Sequence, residues 1–413
     1  MQDRIAPTPQ SQRIDSLDVL RGFAVLGILL MNIGGFSMAS AAYFDPTAYG
    51  DLSGANGWVW RVTHVLADLK FMAIFSMLFG AGIVLMTQRS ESRGQSPTSL
   101  HYRRMLWLII FGLLHAHLLW YGDILYWYGM CGLVVFACRQ VRPQWLIVWG
   151  LVLIAVPSVM MLAAGLSTAQ WDPEALQQVV SDLKPTAEVI AREVATYQSG
   201  WLEQMNHRVS SALEMEILTF LVWAGWRVGG LMLLGMAFFK LGLFSAKRSP
   251  KLYGTLIAVA VLVGMPLIVY GIQRNFAADW EAPYFFFIGL QFNYWASILV
   301  SLGWVSVVML VCLRPNLKQL ARPFAAVGQM AFTNYIMQTL ICTTLFYGHG
   351  FGLFGQLERT EQAAIVVAVW ALQLVVSPIW LRHFLYGPLE WLWRSLSYMQ
   401  RQPFRREAGA VYP

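Results

Sequence analysis

The sequence predicts an all-α polytopic membrane protein, and three observations lead to that fold class. Hydrophobic residues make up 57% of the 413 residues, charged residues only 12%, and the mean hydropathy is +0.52. Apolar runs of membrane length recur along the whole chain. Lysine and arginine are concentrated in alternate connections between these runs. This composition excludes a soluble protein with one apolar core.

Apolar runs that can cross a bilayer predict about ten spans, of which the fourth is short. They cover approximately residues 18–40, 64–87, 105–122, 124–138, 145–166, 217–244, 252–273, 284–312, 324–347 and 363–386. We treat 1–413 as a single integral membrane domain. Its parts are five spans in 18–166, a helical insertion at 167–216, five spans in 217–386 and a basic tail at 387–413.

The distribution of basic residues predicts the orientation. If the N-terminus is cytoplasmic, the connections on that side hold 18 lysines and arginines, Arg4 and Arg13 included, against 6 on the other side. Both termini are therefore predicted to be cytoplasmic. Membrane orientation also explains the net charge of +7, so membrane lipids rather than nucleic acid are the predicted partner.

The insertion at 167–216 is predicted to lie outside the cell and to contain an amphipathic helix. Apolar residues recur in it at three- and four-residue spacing, namely at Ile190, Val194, Tyr197, Trp201, Met205, Val209 and Leu213. Two interpretations remain open. The helix packs over the bundle, or it acts as a lid over an outward-facing site.

The first span carries a polar stripe. Asp18, Arg21 and Asn32 share one helical face, and Asn32 lies about 16 Å deeper than Arg21. Polar groups at membrane depth usually mark a functional site, although they also serve as contacts between helices. The alternatives are a simple signal anchor and a signal peptide cleaved near Ser40, which the long apolar run argues against.

The third span repeats this geometry. Arg104 and His115 are eleven residues apart on nearly the same face, and His115 lies at mid-depth. A neutral imidazole is a suitable general base, and Asp123 at the end of the helix could orient it. His117 points about 200° away, so the two histidines cannot form a same-face metal pair. One of the two therefore faces lipid or a neighbouring helix.

Four further ionisable residues are candidate substrate-binding groups. His64 and Asp68 share a face near the outer end of the second span, where Lys70 points elsewhere and could snorkel outward. Arg227 lies in the sixth span. The simplest pairing joins Asp68 or Asp123 to Lys70 or Arg227. Metal-ligand spacing is absent, so no metal is predicted.

Three arginines are candidates for binding a phosphate-bearing ligand. Arg21, Arg103 and Arg104 lie at similar depth on the predicted cytoplasmic side. Guanidinium groups bind phosphate through paired hydrogen bonds. The orientation rule explains Arg103 and Arg104 equally well.

Five segments carry a resemblance to a known family. They are LDVLRGFAVLGILLMN, KFMAIFSMLFGAG, GLLHAHLLWYGDILYWYG, GQMAFTNYIMQTLICTTLFYGHGFGLFG and GPLEWLWRSLSY. Together they resemble the YeiB family of bacterial inner-membrane proteins. The resemblance covers essentially the whole chain. It implies a multi-pass protein of the bacterial inner membrane.

The Leu-Asp-x-x-Arg-Gly entrance is also similar to the first span of heparan-α-glucosaminide N-acetyltransferase and of bacterial membrane O-acyltransferases. By position, Arg21 matches their arginine, and Asn32 matches a residue that is His or Asn in those families. The heparan enzyme's acyl-accepting histidine corresponds at best to His64, at a different spacing. His115 comes instead from the YeiB-type segment.

These observations predict transfer of an acyl group from cytosolic acyl-CoA, for example acetyl-CoA, to an extracytoplasmic hydroxyl or amine of a glycan or lipid-linked acceptor. His115 would be the general base or would carry the acyl group, Asn32 would stabilise the oxyanion and Asp123 would orient the imidazole. The alternative is a transporter or channel for a small polar or lipid-linked solute. A third is an assembly partner without chemistry, and a homo-oligomer is compatible with all three.

Overall fold

The computed structural model describes residues 15–406, and most of these residues are helical. Within that range there is no β-strand, and the one extended contact is an isolated bridge between Phe384 and Arg405. The predicted all-α membrane class is confirmed. Arg4 and Arg13, which enter the orientation count, and the last part of the basic tail lie outside the described residues.

The first half of the described chain contains ten helices. They are α1 Asp15–Ser37, α2 Ala41–Phe44, α3 Gly54–Leu66, α4 Lys70–Glu91, α5 Thr98–Leu118, α6 Leu125–Val135, α7 Pro143–Ser167, α8 Pro173–Leu183, α9 Ala187–Tyr197 and α10 Met205–Leu213.

Nine helices follow. They are α11 Gly225–Lys240, α12 Pro250–Val259, α13 Met265–Ala277, α14 Ala282–Tyr284, α15 Leu290–Leu313, α16 Lys318–Gln329, α17 Ala331–Phe346, α18 Arg359–His383 and α19 Pro388–Tyr398. Segments of π-helix at Glu214–Ala224, Ala260–Gly264 and Phe285–Gly289 join α10 to α11, α12 to α13 and α14 to α15. Such widened turns are rare and often lie near functional sites.

Seven helical stretches in residues 15–406 are long and apolar enough to cross a membrane. They are Asp15–Ser37, Gly54–Glu91, Pro143–Gln170, Met205–Lys240, Pro250–Ala277, Ala282–Leu313 and Arg359–His383. The other three predicted spans fall on α5, on the short α6, and on α16 and α17, which are separated by a break at Met330. The count of ten and the orientation remain predictions.

Helix α1 is pinned at the end of the bundle where it begins, which we call the arginine end because it holds Arg21 and Arg104. A side chain at Gly22 would overlap the carbonyl oxygen of Phe324, and one at Gly328 would overlap that of Asp18. Helices α1 and α16 therefore pack backbone to backbone through small residues, as neighbouring helices in membranes commonly do. This contact fixes the depth of Arg21.

The insertion covers the opposite end, which we call the insertion end. The predicted single amphipathic helix is two helices, α9 and α10, separated at 198–204, and α10 continues into the long helix that ends at Lys240. Ile190 and Tyr197 are buried against the bundle. The Gly348 amide donates to the Tyr197 carbonyl oxygen at 2.9 Å. The packing interpretation therefore fits the geometry of α9.

Helix α17 begins inside the protein and is capped by a side chain from α19. The Glu390 carboxylate accepts hydrogen bonds from the amides of Phe332 and Thr333 at 2.7 and 3.1 Å, and from the Thr333 hydroxyl at 2.6 Å. A carboxylate suits this position because the amides at a helix start are unpaired and partly positive. Burial nevertheless raises the pKa of Glu390.

Candidate functional site

The polar centre of the bundle is a chain of three side chains from two distant parts of the sequence. His115 Nδ1 lies 2.8 Å from Asp123 Oδ1, and His115 Nε2 lies 3.0 Å from the hydroxyl of Thr339. The side chains of His115 and Asp123 are only 1% and 2% exposed. The structure thus brings the predicted base and its orienting carboxylate together.

The local chain path explains this placement. His115 is in the last turn of α5, and a short connection returns the chain to the start of α6. There the second Asp123 oxygen accepts the amide of Tyr126 at 2.7 Å, which fixes the carboxylate. The rings of Tyr335 and Trp120 flank the imidazole, with centroids 5.2 and 6.4 Å away.

The hydrogen-bond partners assign the protons. Both oxygens of Asp123 act as acceptors, so Nδ1 of His115 carries the proton that it donates to Asp123. In the neutral imidazole Nε2 is then an acceptor, to which the Thr339 hydroxyl can donate. A carboxylate, an imidazole and a hydroxyl in this order form the arrangement that activates hydroxyl nucleophiles in many unrelated enzymes.

Asn32 makes no hydrogen bond with His115, whose side-chain partners are Asp123 and Thr339. No hydrogen bond in residues 15–406 involves its half-buried amide. One turn further along α1, the ring of Phe36 packs on Trp120 at 4.0 Å, and Trp120 adjoins His115. Helices α1 and α5 therefore meet through Trp120, and the Asn32 amide keeps its hydrogen-bonding capacity.

The arginine end contains a cationic cluster. Arg21 donates to Asp18 at 2.8 Å, and the charges of Arg21 and Arg394 both act on Arg104. The Arg104 guanidinium lies over the ring of Trp393 at 4.5 Å. Among the described residues neither Arg104 nor Arg394 has a carboxylate partner, so the cluster carries excess positive charge.

One predicted member of this cluster is different. Arg103 points to the sulfur of Met399 at 3.4 Å, on the exposed side of α19. Arg394 takes part although the sequence reasoning did not select it. Arg394 lies in α19, inside the segment 387–413 that the sequence analysis treated as a basic tail.

A second polar network joins α3, α4 and α15. His64 Nδ1 lies 3.2 Å from Asp68, and Asn293 donates to the same carboxylate at 2.7 Å. Lys70 donates to Asn293 and to the His64 carbonyl oxygen at 2.5 and 2.7 Å. The predicted snorkelling of Lys70 is wrong because its side chain is fully buried. Asn293 bridges the expected ion pair.

Arg227 is also fully buried, and its expected pairing with a carboxylate is not found. It donates to the carbonyl oxygen of Tyr294 at 3.1 Å and to the hydroxyl of Ser297 at 2.8 Å. Its guanidinium lies 4.1 Å from the centroid of the Tyr294 ring. Hydrogen bonds and an aromatic face, rather than an ion pair, hold this charge.

The remaining polar features are the contact of His117 and the distribution of potential metal ligands. His117 contacts Glu216 at 3.1 Å on a neighbouring helical segment. It is the histidine that faces a neighbouring helix, which the sequence alone did not identify. No group of three or more potential metal ligands occurs within residues 15–406.

Sequence reasoning missed the polar side chains of α17. Besides Thr339, Gln338 donates to Gln373 at 2.9 Å, and Asn334 donates to Ser377 at 3.1 Å. The segment FTNYIMQT is unusually polar for a spanning helix. That composition could have directed attention to it.

Comparison with known proteins gives the family. A model described as "Protein of unknown function (DUF418)" matches residues 238–400. "Uncharacterized protein YeiB" of Escherichia coli strain K12 is 33% identical over 392 residues, which cover 94% of this chain and 96% of that protein. "Uncharacterized protein YxaH" of Bacillus subtilis strain 168 is 30% identical over 98% of each chain. The likeness extends over nearly the full length, as the resemblance predicted, and the chain belongs to the YeiB family of membrane proteins.

Proposed function

We propose that this protein transfers an acyl group from acyl-CoA in the cytosol to a hydroxyl or amine acceptor on the other side of the membrane. The buried chain of Asp123, His115 and Thr339 carries the proposal. A neutral imidazole held by a carboxylate and bonded to a hydroxyl is a general base ready to deprotonate a nucleophile.

The arginine end supplies the donor side. Arg21, Arg104 and Arg394 would hold the phosphates of acyl-CoA, because grouped guanidinium groups bind phosphate through charge-assisted hydrogen bonds. Arg104 and His115 lie on one helix about 16 Å apart. The pantetheine arm would extend along α5 and bring the thioester to His115.

The chemical step balances without a metal or a redox partner. His115 Nε2 accepts the proton of the acceptor hydroxyl as its oxygen attacks the thioester carbonyl. The carbon–sulfur bond breaks, and the CoA thiolate takes the proton back from His115. The unpaired amide of Asn32 would donate to the developing oxyanion.

A covalent version of this step uses the same base. In it the Thr339 oxygen, which gives its proton to His115, attacks the thioester carbonyl, and the carbon–sulfur bond breaks to release CoA, which takes that proton. The acceptor oxygen then attacks the acyl ester, loses its proton to His115 and displaces Thr339, whose oxygen takes the proton back. Intact-mass measurement after incubation with acetyl-CoA separates the two versions. The covalent version adds one acetyl group to the wild type and none to Thr339→Val, whereas direct transfer adds none to either.

The first experiment is calorimetric titration of the purified protein with acetyl-CoA. We expect binding by the wild type and by Arg103→Ala, which removes an arginine outside the cluster. An Arg21→Ala, Arg104→Ala, Arg394→Ala triple variant should lose binding while remaining folded. Absence of binding of both acetyl-CoA and a long-chain acyl-CoA to folded wild type would refute the proposal.

The second candidate function is transport, and the Lys70 network favours it. Buried ionisable groups inside membrane proteins often mark a solute or proton pathway. Proteoliposome uptake of labelled sugars and sugar phosphates tests this function. Flux lost in Lys70→Met and retained in His115→Gln would support transport, and no flux in the wild type would remove it.

A further inference from the structure

Four buried hydrogen-bonding groups at the insertion end have no partner within residues 15–406. They are Trp120 Nε1, the hydroxyls of Tyr197 and Tyr347, and Nη1 of Arg208. The four side chains are 5%, 2%, 1% and 2% exposed. Buried polar groups are almost always hydrogen-bonded, because leaving them unpaired costs free energy. Four such groups in one region therefore call for an explanation.

These groups converge in one place. The ring centroids of Tyr197 and Tyr347 are 4.9 Å apart. Both rings belong to the apolar cluster that also contains Trp120 and Phe36. The charge of Arg208 acts on both phenols. The insertion, the residue after α17 and the connection after α5 thus contribute side chains to one buried cluster.

Arg208 has a structural role that does not use its whole side chain. Its Nε donates to the His117 carbonyl oxygen at 2.9 Å, and its Nη2 donates to that of Trp201 at 3.2 Å. The first contact caps the C-terminal end of α5, where a cation is favourable. No carboxylate in the described range pairs with Arg208, and Nη1 remains unused.

The unused groups share a chemical character. Burial raises the pKa of Tyr197 well above its ordinary value, so this phenol is a neutral donor at physiological pH. An indole N–H and a guanidinium N–H can only donate. Glu193, a carboxylate whose charge reaches the phenols, is already bound by the amide and hydroxyl of Ser40 at 3.0 and 3.2 Å. The buried cluster therefore offers hydrogen-bond donors and the positive charge of Arg208.

We propose that Trp120, Tyr197, Tyr347 and Arg208 form a binding site for a small organic anion that enters from the extracytoplasmic side, through its carboxylate or phosphoryl oxygens. Aromatic walls on such a site suit a ring-shaped ligand such as a sugar acid or sugar phosphate. The Trp120 ring adjoins His115. A role as the acyl acceptor rests on the proposed function, but binding itself does not.

The test is calorimetric titration of the purified protein with glucuronate, glucose 6-phosphate and glucose. We expect at least one anion to bind, and glucose to bind at least tenfold more weakly, because it lacks the charged oxygens that satisfy Arg208. The two anions distinguish a carboxylate ligand from a phosphoryl ligand. If neither anion binds to the folded protein, the proposal is overturned.

A double variant, Tyr197→Phe with Tyr347→Phe, removes only the two unpaired hydroxyls. We expect anion affinity to fall about ten- to a hundredfold, since hydrogen bonds to charged groups are strong. The unfolding temperature without ligand should not fall, because no hydrogen bond is lost. The matched control is Tyr253→Phe, whose fully buried hydroxyl donates to Leu243 at 2.8 Å. It should lower the unfolding temperature and leave the affinity unchanged.

Two outcomes locate the anion elsewhere and overturn the proposal. One is unchanged affinity in the double tyrosine variant. The other is loss of affinity in the Arg21, Arg104, Arg394 triple variant, which would place the anion at the arginine end. No acyl donor is present in these titrations. Failure of the acyl-transfer experiments therefore leaves this test valid, and the converse also holds.

Discussion

Two buried polar networks lie in this bundle, and they are organised differently. The network around Lys70 is closed, since Lys70 and Asp68 are joined through Asn293 and the neighbouring His64 completes the set. The network around His115 is linear and ends at the hydroxyl of Thr339. It also borders the unpaired indole of Trp120.

This difference suits the Lys70 network to stabilising the fold and the His115 network to binding or chemistry. In the closed network the charged and polar groups are partners of one another, and they hold three helices together. Removing one member leaves a buried charge unpaired. A linear chain with an unpaired group beside it has capacity left for a ligand. Under the proposed function the reaction would take place at His115 and Lys70 would have a mainly structural role, and the following predictions test that division.

The largest expected effect is on activity at His115. His115→Gln should lower consumption of the acetyl-CoA thioester by roughly 10²- to 10⁴-fold, which is the usual contribution of a general base. Proteoliposomes supplied with a glycan mixture as acceptor provide the assay. His117→Gln, two residues away on the same helix, should stay within a fewfold of wild type. Equal losses in both variants would contradict the assignment.

The next effect is on stability at the closed network. Asp68→Ala should lower the free energy of unfolding by about 3–5 kcal/mol, because Lys70 would be left buried without its counter-charge. Denaturant titration in mixed micelles measures this change. The exposed Asp182→Ala serves as control and should change stability by less than about 0.5 kcal/mol.

A double variant tests whether the loss of stability comes from the interaction between Asp68 and Lys70. Asp68→Leu combined with Lys70→Met should be more stable than Asp68→Leu alone, since the unpaired charge is removed as well. If the double variant is as unstable as the sum of its parts, the two residues do not interact through Asn293.

A smaller effect is expected where α1 is pinned to α16. Gly22→Ala should destabilise the protein by about 1–3 kcal/mol, because its methyl group would meet the backbone of Phe324. Gly34→Ala is the matched control on the same helix, since no atom lies within 4 Å of a Cβ built there. It should be neutral or stabilising by up to about 1 kcal/mol. Comparable thermal unfolding of the two variants would show that α1 is not fixed at Gly22.

The smallest effect concerns pH at the insertion end. Hydrogen bonds from Asn56 and Ser53 lower the pKa of Asp51 to about 2, below its ordinary value of 3.8. Its contribution to stability is therefore fully present above about pH 3.8 and is lost as the pH falls towards 2. Asp51→Asn should flatten the wild-type decline in unfolding temperature over that interval. An unchanged decline would show that Asp51 is not responsible.

The sequence was sufficient for contacts that are close along one helix or across one turn. The predicted shared face of His64 and Asp68 follows from a four-residue spacing, and the predicted orientation of the imidazole by Asp123 follows from a helix end beside a short connection. Helical periodicity brings the first pair together and a short connection the second, so neither depends on the order of the helices in the bundle. The all-α membrane class could also be predicted, because the length and composition of an apolar run are properties of the local sequence.

Long-range partners could not be predicted. Thr339 meets His115 across 224 residues of sequence, and Asn293 meets Lys70 across 223. A single threonine or asparagine in an apolar helix gives no sign of which helix lies opposite. The snorkelling expected of Lys70 failed for a related reason, since burial by α15 depends on helix order, which hydropathy does not contain.

The position of Trp120 has a consequence for the reaction that competes with transfer. Its ring, only 5% exposed, packs on Phe36 and adjoins His115. An activated acyl group beside a general base is hydrolysed wherever water can reach it, so a transferase must keep its base dry. Under the proposed function Trp120, together with Tyr335, would keep water from His115, and Trp120→Ala should increase thioester hydrolysis at the expense of transfer.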